Sequence, residues 1–251
     1  MPDLQTLLFA EPVMVLAYSV FGMVGFGSTL VGAPILAHLL PLTTVVPALA
    51  LSDMLASWTN GWRLSQHVAR SELYRLLPAL ALGSGLGAWL LFTLPLPMLM
   101  PLLGGFVLLF ALNGLRPQQR KQSQSLLPLR WAWFFGSVGG IFSAMFGAGG
   151  WVYAAYLTRR LHDLQQIRAT QSAVLMFSSA IRVGLFLAAG SLLEPDLLLL
   201  VLALLPGIAL GLYLGHRISL KLDRRRFMLT FHILLLLTGS SLLLRSLLPA
   251  L

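Results

Sequence analysis

The stretches that decide the fold are GMVGFGST at residues 22–29 and GGIFSAMFGAGG at residues 139–150. They interrupt two long apolar segments, residues 12–40 and residues 131–157. Glycine permits the positive φ angles and sharp reversals that a continuous helix excludes. Each break leaves two arms of about 13–16 residues, or about 20–24 Å of helix, against roughly 30 Å of membrane hydrocarbon. We therefore predict two re-entrant helical hairpins, each returning to the side of the membrane that it entered.

The composition is that of an integral membrane protein. Of the 251 residues, 57% are hydrophobic and only 10% are charged, whereas soluble domains carry about 25% charged residues. Soluble, disordered, collagen-like and coiled-coil proteins are therefore excluded. No Lys or Arg precedes the first apolar run, so we expect that helix to be retained rather than cleaved as a signal peptide. Beyond the hairpins, six segments have the length of crossing helices: residues 44–62, 73–92, 97–115, 167–190, 197–216 and 227–248.

The basic residues predict the topology. Fifteen of the seventeen Lys and Arg residues fall in four loops, one of which is a linker at residues 116–130. By the positive-inside rule these loops are cytoplasmic, so both termini are predicted to lie outside. The net charge of +9 is then a topology signal, and no nucleic-acid partner is expected. The four loops carry Arg63, Arg70 and Arg75; Arg116, Arg120, Lys121 and Arg130; Arg159, Arg160 and Arg168; and Arg217, Lys221, Arg224, Arg225 and Arg226.

The two halves of the chain resemble each other. Residues 25–34 align with residues 147–156, and a GxxxG pair at 83–87 aligns with another at 207–211. Each half contains one hairpin and three crossings, and because three is odd the second half is inverted in the membrane. Inverted repeats with interrupted helices at matching positions are typical of secondary transporters. The predicted fold is thus all-α, with repeats at residues 1–115 and 131–251.

The duplicated glycine motif resembles that of a known family. Its pattern is Gly-x-Gly-Gly-Gly-x-x-x-x-Pro-x-Leu, and two copies in an eight-segment chain resemble the sulfite exporter TauE/SafE family, also described as toluene sulfonate uptake permeases. The resemblance covers nearly the whole chain. It implies a multi-pass permease of the bacterial inner membrane for sulfite, sulfonates or related anions. The first copy keeps Gly25, Gly27, Pro34 and Leu36, with Ser28 and Thr29 in place of glycines; the second keeps Gly147, Gly149 and Gly150, with Trp151 and Tyr156 as replacements.

The hairpin tips are the first candidate substrate-binding residues. Backbone N–H groups at the start of a half-helix, together with its positive dipole end, can hold an anion. The hydroxyl groups of Ser28 and Thr29 would add donors. The alternative is that the tip glycines serve only close helix packing, which we favour for the two GxxxG pairs. The candidates at the tips are Gly25, Gly27, Ser28, Thr29, Gly147, Gly149 and Gly150.

Two charged residues fall inside predicted spans. Arg182 is a candidate anion ligand because the guanidinium fork donates two hydrogen bonds at once to an oxyanion. Its alternatives are snorkelling to the surface and a structural ion pair. Asp53 lies at a similar depth. It is open to three interpretations: an ion pair with Arg182, a gate that the substrate anion releases, or the protonatable group of proton-coupled transport.

Neutral polar residues complete the candidate site. The spacing of Gln171, Ser178 and Arg182 places all three on one helical face, which we predict to line a cavity unless its polar groups serve hydrogen bonds between helices. The five His residues and the acidic residues show no metal-binding spacing, so no metal is expected. No ATP-binding motif is present, and no cofactor is expected.

These observations predict a secondary permease for a small anion, working by alternating access in the lipid bilayer, with proton coupling left open. One competing hypothesis is a cation- or proton-coupled permease for another solute that depends on Asp53. Another is a non-transporting accessory protein. An enzyme is not expected, because no nucleophile–base pair is apparent. The sequence leaves the oligomeric state open, a homodimer included.

Overall fold

The computed structural model describes residues 4–63, 65–115, 127–219 and 224–247, and every regular element in them is helical. The protein is an all-α membrane protein. Much of the predicted linker, including Arg116, Arg120 and Lys121, lies outside the described residues. The helices are α1 Leu4–Val24, α2 Ser28–Leu36, α3 Leu42–Arg63, α4 Arg70–Thr93, α5 Leu96–Leu115, α6 Trp131–Phe146, α7 Gly150–Arg160, α8 Leu164–Ala188, α9 Pro195–Ser219 and α10 Arg224–Leu247.

Both glycine-rich stretches separate helices. Between α1 and α2, Gly25 and Gly27 have φ angles of 86° and 98°, and between α6 and α7 Gly147 has φ of 64°. Because side chains with a Cβ rarely adopt these angles, the glycines end one helix and let the chain begin the next. In each pair the second helix packs against the first.

The arms are less equal than the sequence indicates. The first pair has 21 and 9 residues, and the second has 16 and 11. The helix α1 begins at Leu4 rather than near residue 12, and Pro12 lies inside it. The side chain of Glu11 lies against Gly207 of α9, where a Cβ would overlap the carboxylate.

Five of the described helices are long and apolar enough to cross a membrane: α1, α4, α5, α8 and α9. This set differs from the six predicted crossings. It includes α1, and it leaves out α3 and α10, of which only the stretches Leu42–Trp58 and Phe231–Ser246 are counted among the fully described residues.

Helices of the two halves pack in pairs. Helix α4 lies along α6 and α1 lies along α9, while α5 packs on α10 and α3 on α8. Glycines allow these close approaches: a Cβ at Gly83 or Gly87 would overlap backbone atoms of α6, and a Cβ at Gly211 would overlap the Val15 carbonyl of α1. The prediction that the GxxxG pairs serve packing is confirmed.

The far ends of both hairpins are tied to the other half of the chain. At the end of α7, the buried Glu72 carboxylate of α4 accepts hydrogen bonds from the Tyr156 hydroxyl at 2.7 Å and from Arg160 Nη2 at 2.7 Å. After α2, Arg245 Nη1 of α10 lies 2.9 Å from His38 Nδ1 and donates to the His38 carbonyl at 3.1 Å. Partial burial and the Arg245 charge lower the pKa of His38.

Replacing Glu72 by alanine is expected to lower the free energy of unfolding by about 3–5 kcal/mol, because it leaves the Arg160 guanidinium without its carboxylate. The matched control is Glu194→Ala, which removes an exposed carboxylate and should cost less than about 0.5 kcal/mol. Thermal unfolding in detergent measures both. Equal melting temperatures for the two variants would show that the Glu72 contacts contribute nothing to stability.

Candidate functional site

A small cavity lies where the two hairpin tips meet α3 and α8. Its volume is about 20 Å³, which suits one water molecule. Most of the lining residues are hydroxyl-bearing or charged, and three are large and apolar. The lining residues are Phe21, Phe26, Gly27, Ser28, Asp53, Ser57, Ser143, Gly147, Leu175, Ser178, Ser179 and Arg182.

Asp53 is the most highly coordinated group of the cavity. Its Oδ1 accepts from the Tyr18 hydroxyl at 2.9 Å and the Ser28 hydroxyl at 2.6 Å. Its Oδ2 accepts from the Thr29 hydroxyl at 2.8 Å and Arg182 Nη1 at 3.4 Å. The residue is only 6% exposed. Hydrogen bonds from four donors on three other helices thus replace the hydration that the carboxylate loses on burial.

The carboxylate lies at the N-terminus of α2. Ser28 and Thr29 are the first two residues of that helix, and both hold Asp53 through their side chains. The N-terminal end of a helix carries a partial positive charge and favours an anion there. An internal carboxylate therefore stands where the sequence predicts a bound anion.

Arg182 is buried and uses only part of its hydrogen-bonding capacity. It is 3% exposed, and of its guanidinium nitrogens only Nη1 reaches Asp53. Within the described part of the chain, Arg182 Nε and Nη2 have no hydrogen-bond partner. Buried donors of this kind are rare in proteins and call for an explanation, since leaving one unsatisfied is costly. The edge formed by Nε and Nη2 matches two oxygens of a planar or tetrahedral oxyanion.

The second hairpin contributes neutral polar groups beside Arg182. The Ser143 hydroxyl of α6 lies 2.8 Å from the Ser178 hydroxyl of α8. The hydroxyl of Tyr153, a residue of α7 with no exposed surface, has no partner among the described residues. Across the cavity, a Cβ at Gly147 would overlap the side chain of Thr29, so the two hairpin tips are in direct contact.

Comparison with known proteins identifies the family. A sequence profile of the family described as "Sulfite exporter TauE/SafE" matches residues 12–242. The chain belongs to this family. It is also similar to the "Probable inner membrane transporter protein TsaS" of Comamonas testosteroni, with 28% identity over 193 residues that cover 76% of this chain and 80% of the relative. No solved structure shows a significant match. The family is described as an exporter and the relative as a probable inner membrane transporter, so the chain is a homologue of membrane transporters.

The structure brings together part of the predicted TauE/SafE site. Gly27, Ser28, Asp53, Gly147, Ser178 and Arg182 all line the cavity, and Thr29 contacts Asp53. The hydroxyls of Ser28 and Thr29 are engaged by Asp53, so they do not point into free space as donors for a solute. Asp53 and Arg182 do form the ion pair that was one of the three interpretations of Asp53.

Four predicted residues lie away from the cavity wall. Gln171 does not line it, because its Nε2 donates to the Gly150 carbonyl at 3.3 Å, more than a helical turn from Ser178. A Cβ at Gly150 would press on the Phe26 ring, and one at Gly149 would overlap the Gly139 carbonyl, so these two glycines pack tightly. Gly25 is open to space, with nothing near its missing Cβ.

Three polar residues that line the cavity or contact Asp53 were not predicted from sequence: Tyr18, Ser57 and Ser143. Tyr18 and Ser143 lie within apolar hairpin arms, where isolated polar residues carry no distinct signal. Ser57 has a usable signal, because it follows Asp53 by four residues and so shares its helical face. The spacing of Ser57 would have been sufficient to include it.

Proposed function

We propose that the protein is a secondary transporter that moves small anions, sulfite or organosulfonates foremost, across the bacterial inner membrane by alternating access. The observation that carries the proposal is the buried guanidinium of Arg182, whose Nε and Nη2 have no partner among the described residues and lie beside a cavity. A solute oxyanion would supply the two missing acceptors. The substrate classes come from the family name and from the resemblance of the glycine motif.

Asp53 acts as an internal competitor in this proposal. Its contact with Arg182 Nη1 is 3.4 Å, longer than its contacts with Tyr18, Ser28 and Thr29. Charge-assisted N–H···O contacts are usually about 2.7–2.9 Å, so the pair is loosely held. An incoming anion would take over Arg182 while the three hydroxyls retain the carboxylate. Between a permanent ion pair with Arg182 and a gate that the anion releases, this geometry favours the gate.

Transport requires the cavity walls to move. A space of about 20 Å³ is too small for sulfite, which has four heavy atoms. The walls that must separate include both hairpin tips, which touch through Thr29 and Gly147. Movement of the two halves about α3 and α8 would open the cavity to one side at a time.

The proposed movement uses two inverted repeats, residues 1–115 and 131–251, with both termini outside. The helix pairs support it, since exchanging the halves turns the pair α4–α6 into α9–α1 and leaves the pairs α5–α10 and α3–α8 unchanged. Each repeat is then a hairpin followed by three helices.

A permease for cations is less well supported. A cation at Asp53 would need free carboxylate lone pairs, but four donors already occupy that carboxylate. A cation would also lie beside the guanidinium of Arg182. A non-transporting accessory protein would have no use for unpartnered donors at a buried cavity.

Flux into proteoliposomes that contain the purified protein tests the proposal. We expect saturable uptake of radiolabelled sulfite or methanesulfonate that unlabelled anion inhibits, while a monovalent cation of similar size neither enters nor competes. Well-folded protein that moves none of the anions would contradict the proposal. Uptake of the cation would restore the alternative with Asp53 as its ligand.

A further inference from the structure

The charges of the residues that line the cavity cancel when the cavity holds no solute. Of the lining residues in the described part of the chain, only Asp53 and Arg182 are charged. Arginine keeps its proton in proteins, so with an ionised Asp53 the sum is zero. A monoanion on Arg182 would therefore leave one uncompensated negative charge in a buried space. That state is costly, because a buried charge without a partner loses its hydration without replacement.

The partners of Asp53 suit a carboxyl group that gains and loses a proton. Apart from Arg182, they are the hydroxyls of Tyr18 on α1 and of Ser28 and Thr29 on α2. A hydroxyl both donates and accepts, whereas a backbone N–H or a guanidinium only donates. Each of the three can donate to the ionised carboxylate, and any one can turn to accept from the protonated acid. The hydrogen-bond shell therefore survives protonation of Asp53.

We infer that Asp53 takes up one proton when an anion binds to Arg182, so that a monoanion and a proton cross together and the site stays neutral. The inference rests on the proposed function. The step forms one O–H bond on Asp53 with a proton from the side to which the cavity is open, and it breaks none in the solute. The anion replaces the carboxylate on Arg182, and release of both solutes on the other side restores the ion pair. A dianion would leave one net negative charge, so it is disfavoured against a monoanion of equal size.

Two measurements on the wild-type protein test the coupling. Addition of methanesulfonate, a monoanion at every pH used, to weakly buffered purified protein should draw one proton from solution for each anion bound. In proteoliposomes, a pH gradient should drive its uptake, and a clamped membrane potential should leave the rate unchanged. Binding or flux without proton uptake, or flux that follows the potential, would overturn the inference while the proposed function stands. Failure of both binding and flux would overturn the proposed function and the inference together.

Asp53→Asn separates the proton from the anion. The carboxamide is neutral in all states, so proton uptake should fall from one per anion to none, and flux should become dependent on membrane potential. The control is Glu194→Gln, an exposed carboxylate that should keep the wild-type coupling. If Asp53→Asn does not fold, Ser28→Ala removes one donor to the ionised form, and the pH midpoint of anion binding should rise by about one unit. An unchanged midpoint, or an Asn variant that still takes up protons with the anion, would contradict the role of Asp53.

Discussion

Replacing Arg182 by lysine is expected to reduce anion flux by roughly 10- to 100-fold. Lysine keeps the positive charge but lacks the edge of Nε and Nη2, which in the native protein has no partner among the described residues. A compact ammonium cannot reproduce two parallel hydrogen bonds to one oxyanion. The loss should appear as a raised concentration for half-maximal flux, because the missing contacts bind the solute in the cavity.

The controls for Arg182 separate binding from folding. Arg168→Lys changes an exposed residue of the same helix and should leave flux unchanged. Arg182→Ala should abolish flux and also reduce stability, because it leaves Asp53 buried without its counter-charge. The flux of Arg182→Ala is therefore compared with that of Arg182→Lys, and only in preparations of both variants that elute as a single species from size-exclusion chromatography. Native flux in Arg182→Lys would show that the fork is not used.

Replacing Gly83 by alanine is expected to lower the stability of the protein strongly. A Cβ at this position would overlap the Ser137 carbonyl of α6, and a backbone atom cannot move aside as the end of a side chain can. Helices α4 and α6 must then separate along their contact. We expect a loss of about 3 kcal/mol or more in the free energy of unfolding, measured as a lower melting temperature in detergent.

The same helix provides a matched control for Gly83. Gly85 lies two residues further on, and nothing stands within 4 Å of the position where its Cβ would be. Gly85→Ala should be neutral or stabilise by up to about 1 kcal/mol, because alanine favours helix more than glycine does. Similar losses in the two variants would mean that glycine content, rather than the contact with α6, determines stability.

The sequence predicts the features that arise from local chemistry. Positive φ angles at the tips follow from glycine itself, and close packing at Gly83 follows from helical spacing on α4. The ion pair of Asp53 and Arg182 is predictable because an isolated charge inside an apolar span needs a partner at its own depth. Family membership is predictable from the duplicated motif.

The remaining features depend on how distant segments meet. The hydroxyls of Ser28 and Thr29 turn to Asp53 only because α3 passes the tip of the first hairpin. Gln171 has the helical phase of the cavity residues but lies too far along α8, against the carbonyl of Gly150. From the sequence, Glu72 is indistinguishable from an ordinary acidic residue beside a loop. In the structure it is buried, because the end of α7 packs over it.

The most direct test of the central claim is an experimental structure of the protein with an oxyanion that contains a heavy atom, such as selenite. The proposal predicts density for the anion within hydrogen-bond distance of Arg182 Nε and Nη2, in a cavity wider than that of the solute-free protein. Asp53 should keep its hydrogen bonds with Tyr18, Ser28 and Thr29 and no longer contact Arg182. An anion bound elsewhere, with the pair of Asp53 and Arg182 intact at saturating concentration, would contradict the account.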